Sequence, residues 1–163
     1  KMTDAEQALK TALKVNPKQA VAAYNLSVIT APRNVKEAVG YAEIAVQAMP
    51  EDPKYAYTLA FYQMQNNQKN EAVKTLQKLL KSNPEYISAV SFLADIYVKD
   101  GKTQEAVKVY QQALKAEGIA EQDKTAIRQS IAVLQRSMWI RKIDKILDVV
   151  TLLANFDQWM KNL

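Results

Sequence analysis

Residues 50–84 read PEDPKYAYTLAFYQMQNNQKNEAVKTLQKLLKSNP, and nearly every feature of this stretch recurs one period before or after it. Small apolar residues stand at Ala56, Ala60 and Ala72 and large ones at Leu59, Leu76 and Leu79, with a break at Asn66-Asn67 and a proline at each end. One period back lie Ala23, Leu26, Ala38, Ala45 and Pro50; 34 positions forward lie Val90, Leu93, Ala94, Ala106, Tyr110 and Ala113. A repeat of this length made of two short helices is a solenoid unit. No unit buries its apolar face alone, and stacking supplies the core.

The pattern resembles the tetratricopeptide repeat (TPR) family, in which small residues sit where two helices cross closely and a proline follows the second helix. Leu59-Ala60, Ala72, Leu76, Leu79 and Pro84 match it, as do Leu93-Ala94, Ala106, Tyr110 and Ala113. The likeness covers about residues 1–118. The first full repeat is one residue short between Pro17 and Pro50, with Ala31-Pro32-Arg33-Asn34 taking up the turn, and Gly118 stands where the last proline would be. The resemblance implies an all-α, right-handed superhelical solenoid of antiparallel helix pairs. The expected units are a second helix of a truncated repeat (1–17), three TPR-like repeats (18–50, 51–84 and 85–118), a capping helix (119–137) and an amphipathic C-terminal helix (138–163).

Composition narrows the chemistry. With 163 residues, few glycines and prolines and nearly half apolar residues, the chain has the size of one array of stacked helices. It contains no histidine and no cysteine, which removes the usual metal ligands and the commonest general base together. No cofactor or metal is expected, and no enzyme. Asp144 and Asp148, one turn apart beside Lys145, are ordinary surface patterning, and the glycines form no phosphate-cradling loop. The net charge of +5 comes from lysines spread along helix faces, such as Lys74, Lys78 and Lys81, with no Arg-rich run or aromatic-basic platform, so no nucleic-acid partner is expected. No membrane span is visible and membrane contact is not expected. The chain begins inside what reads as half a repeat and is taken as an excerpt of something longer; its compartment is left undetermined.

In chain order, Thr3-Asp4-Ala5-Glu6 has capping-box form, with Glu6 able to reach back to Thr3. In the first full repeat Ala23, Leu26, Ser27 and Thr30 form one stripe, and Val21, Tyr24 and Val28 another. In the second, Ala56, Leu59 and Ala60 form a close-packing stripe and Tyr57, Phe61 and Met64 an opposite one. A helix apolar on two sides needs cover on both. Gly101 suits the left-handed conformation that ends a helix. Ile127, Ile131, Leu134 and Met138 mark the next helix. Then Trp139, Ile143, Ile146, Val150, Leu153, Phe156, Met160 and Leu163 recur at threes and fours, close to a coiled-coil seam. The stripe slips by one residue near Ser137-Met138, which predicts a bend or break there.

In TPR proteins the first helices of the repeats line a concave groove that holds a partner's peptide or helix. Carried over by register, the groove positions are Val21, Tyr24, Asn25 and Val28, then Lys54, Tyr57, Thr58, Phe61 and Met64, then Ser88, Ser91 and Asp95. Only Asn25 and Lys54 suit a carboxylate clamp, the third repeat offering Phe92, Ser88 and Asp95 in place of basic residues, so the expected ligand is an amphipathic or extended apolar segment of a protein or peptide. The alternative is that the aromatics merely fill space between helices. For the C-terminal helix three outcomes stay open: capping the last repeat, filling a groove as a self-ligand, or pairing with another copy as a homo-oligomer. A further alternative makes the chain the regulatory TPR portion of a larger enzyme.

Overall fold

The chain repeats one solution to helix packing. The computed structural model describes residues 3–161, with side chains described for residues 3–153 and 155; Phe156 and Met160 of the predicted tail stripe lie outside the described side chains. Among these residues there are eight helices and no strand: α1 (Asp4–Val15), α2 (Ala20–Thr30), α3 (Val35–Ala48), α4 (Pro53–Gln65), α5 (Lys69–Ser82), α6 (Ile87–Lys99), α7 (Thr103–Ala113) and α8 (Glu121–Lys161). Each helix packs on its neighbours in sequence, with the closest association inside the pairs α2–α3, α4–α5 and α6–α7.

The small residues named by the period sit where the helices meet. Ala23, Leu26, Ala38, Ala45, Ala60, Ala72, Leu76, Ala94 and Ala106 are 0% exposed. Alanine at a crossing lets two backbones approach closely, and leucine then fills the space beside it. Two tyrosines that the pattern did not single out are also core. Tyr55 packs with Ala20, Ala23 and Ala45, and Tyr62 with Ala38, Val39 and Ala42, so each joins α4 to the preceding pair.

The turns inside the second and third pairs are copies. Asn67 has φ 59° and Gly101, 34 positions on, has φ 72°. Asn67 N–H donates to the Met64 carbonyl at 3.2 Å and Gln68 N–H to Gln63 at 2.8 Å; Gly101 and Lys102 make the same bonds to Val98 and Tyr97 at 3.0 and 2.8 Å. This crossed pair satisfies carbonyls left free at the helix end. The first pair, one residue shorter, has no left-handed residue; Arg33 and Asn34 N–H both reach the Thr30 carbonyl instead. Asn34 then caps α3 by accepting from Glu37 N–H.

Two sequence expectations are corrected. Thr3 does cap α1, accepting from Glu6 N–H at 3.3 Å, but the Glu6 carboxylate does not complete a box. It is buried and bound to Arg33 at 2.6 Å and Lys10 at 3.0 Å, tying α1 to the α2–α3 turn. A guanidinium and an ammonium offer a carboxylate more than one backbone N–H can. Nor is there a helix break at Ser137-Met138: α8 is one helix of 41 residues. No proline or glycine follows Gly118, and without one a phase slip rotates the apolar stripe by one residue step, about 100°, rather than ending the helix.

Candidate functional site

The first helices of the three pairs, α2, α4 and α6, carry the predicted groove residues, and the structure sorts these by exposure. Val21 (58%), Val28 (44%) and Phe61 (43%) are exposed apolar side chains on helices whose remaining apolar residues are largely covered. Tyr24, Asn25, Tyr57, Met64 and Ser91 are half-buried, and Lys54, Ser88 and Asp95 are exposed.

Aromatic contacts join the three helices. Tyr24 of α2 lies 5.3 Å from Tyr55 of α4, and the Lys54 ammonium sits over both rings at 4.6 and 5.0 Å. A cation held on ring faces keeps its charge and its outer hydrogens for a ligand. Tyr57 meets Tyr86 and Phe92 at 5.8 and 5.9 Å, and Phe61 meets Phe92 at 6.3 Å. Tyr57 and Met64 also pack against the buried cluster of Ala60, Leu76, Leu79 and Leu93, so they serve the core as well as the face. Phe61 is the freer member.

Phe92, 34 positions after the groove position Thr58, was placed on this wall by register, but its membership of the aromatic group was missed; an aromatic replacing a threonine was the available signal. Val98, 40% exposed, was missed too, although it stands 34 positions after Met64.

At α6 the face turns polar. Tyr110 of α7 is buried; burial raises its pKa and Asp95 raises it further, while Ser130 and Ser91 oppose this. Ser91 thus borders the place where α8 joins the stack. Asp95 makes no ion pair among the described residues.

The predicted tail residues begin at Trp139, just before the middle of α8, and continue into its second half. Its first half packs on α7, with Ile127 buried among Val90, Ala94, Ala106 and Tyr110, and Ile131 and Leu134 against the same cluster. Arg141 donates to Thr103 Oγ1 at 3.0 Å. Beyond that contact Ile146, Val150 and Leu153 are exposed, as is Trp139, and Ile143 is half-buried. Among the described residues no group of three or more carboxylates could hold a metal, and no helix is long and apolar enough to cross a membrane.

Stacked helix pairs presenting an aromatic face on their first helices define a helical-repeat protein of the interaction-scaffold class. The family model described as anaphase-promoting complex, cyclosome, subunit 3, a TPR-like repeat family, matches residues 32–113, half of the sequence, and the chain belongs to this TPR-like family. Such families are typically non-catalytic. Solved structures of the same fold include two crystal structures of MamA, each 19% identical with TM-score 0.66, covering 84% of this chain and 78% or 73% of theirs. Another is MamA 41-end from Desulfovibrio magneticus RS-1, 21% identical with TM-score 0.58 over 68% of this chain and 63% of that one. At these identities the likeness is one of fold. No curated protein matches the sequence.

Proposed function

We propose that the chain is a non-catalytic scaffold that holds an amphipathic or extended apolar segment of a protein partner in a groove along α2, α4 and α6. The observation that carries this reading is the row of exposed apolar side chains Val21, Val28 and Phe61, on helices that bury their other apolar residues efficiently. Apolar surface left in water at regular positions marks a place for a partner. Lys54 on α4, poised on Tyr24 and Tyr55, and Asp95 on α6 supply one charge of each sign beside the apolar stretch, which helps to orient an incoming segment. Residues 119–137 act in this account as the cap of the last repeat.

Selection of a random peptide library displayed on phage tests the reading. The wild-type chain should enrich amphipathic or apolar sequences, and Phe61→Asp should weaken the selected peptides by more than about tenfold, the loss of one aromatic anchor. Helix content by circular dichroism should stay unchanged. Peptides that bind the variant as tightly as the wild type would place the site elsewhere.

A further inference from the structure

We propose that the segment occupying this groove is the projecting half of α8 from a second copy of the chain, an assignment that rests on the groove reading above. The first half of α8 is fixed on α7 by Ile127 and by the bond from Arg141 to Thr103, and the helix then continues without interruption. Its second half therefore leaves the stack in a set direction and cannot turn back onto its own α2, α4 and α6. The consequence is visible in exposure: beyond Arg141, Ile146, Leu147, Val149, Val150, Leu152 and Leu153 are each between 49% and 67% exposed, and Trp139 and Ile140 just before it are 64% and 45% exposed.

Shape and charge favour a groove as the cover. Ile140 and Leu147 flank the seam of Trp139, Ile143, Ile146, Val150 and Leu153 on one side and Val149 on the other, so the apolar face covers about half the helix circumference. One partner helix covers only a narrow seam, whereas a groove covers a broad face. The apolar face over residues 139–153, exposed but for the half-buried Ile143, is roughly 22 Å long at 1.5 Å per residue. Three adjacent helices spaced by about 8–10 Å present a face of similar length, roughly 25 Å. Lys142 stands at the margin of the apolar face, and Asp95 is the exposed acid at the α6 end of the groove without an ion-pair partner among the described residues. Pairing them sets the direction in which the helix lies. The interface is heterologous, since groove and helix are different surfaces of one chain.

The two tryptophans, Trp139 and Trp159, both belong to the tail, so intrinsic emission reports on it alone. The test uses the full chain, with light-scattering mass and tryptophan emission measured over a wide range of concentration. Mass should rise and emission shift to the blue together. Phe61→Asp, which spoils the groove, and Leu147→Asp, which spoils the helix, should each remain monomeric with red-shifted emission. Mixing the two variants should restore a dimer, because one brings an intact helix and the other an intact groove. Assembly that persists in Phe61→Asp would mean that tails pair with tails and would overturn the proposal. So would blue emission in a concentration-independent monomer, or a shift that needs anionic vesicles. A wild-type chain monomeric and red-emitting throughout would also overturn it, while leaving the groove reading to stand or fall on the peptide selection.

Discussion

Asn67 and Gly101 show how a repeat is written at the level of one residue. Both end a first helix in the left-handed region, at φ 59° and 72°, and both turns carry the same crossed hydrogen bonds. Asparagine tolerates this conformation and glycine prefers it, because a Cβ there crowds the following carbonyl. Nothing lies within 4 Å of a Cβ added at Gly101, so a substitution meets only the backbone cost. Gly101→Ala should therefore destabilise the chain by about 1–2 kcal/mol. The urea unfolding midpoint reads this directly, and an unchanged midpoint would mean the turn can be made another way. Gly101 was legible as a helix stop from its residue type. Asn67 was legible only as part of a break, since asparagine takes left-handed and ordinary turn conformations alike.

At the scale of the element, α1 and α8 show what periodicity reveals and what it hides. The apolar spacing of α1 marked a helix, but its docking depends on a carboxylate whose partner, Arg33, is 27 residues away in the turn that the shortened repeat creates. No local pattern pairs two such residues. The hydrogen bond from Arg33, with help from Lys10, holds the Glu6 carboxyl below its ordinary range. Because the folded-state pKa is the lower one, the unfolded chain takes up the proton first. The stabilisation is complete above the ordinary glutamate pKa and is lost as pH falls through the depressed one. The protection of α1 amides against hydrogen exchange, measured relative to the intrinsic rate at each pH, should fall on acidification through this range more than that of α4 or α5 amides. An equal loss of protection in all three would show that Glu6 does not hold α1. In α8 the same apolar spacing is legible throughout, and the slip near Ser137-Met138 reads in sequence as a bend or break. It is a rotation instead: one stripe serves α7 and the next faces away, within one continuous helix.

For the whole molecule, the spacing of alanines and leucines was enough to name the architecture, because close helix crossings demand small residues at fixed intervals. The candidate groove was legible in register but not in weight. Tyr57 and Phe61 look equivalent in sequence, yet Tyr57 is wedged against Tyr86, Phe92 and the buried leucines while Phe61 keeps 43% of its surface. That distinction arises from the neighbouring repeat, where Phe92 replaces a residue the period would make polar. It also decides which substitution probes binding rather than stability.

In the proposed groove the first helices carry the binding face and the second helices do not. A photo-crosslinking residue, p-benzoylphenylalanine, placed at position 28 on α2 should give intermolecular adducts with a bound segment. The same residue at position 78, exposed on α5, should give none. Adducts from position 78 with none from position 28 would put the binding face on the second helices instead.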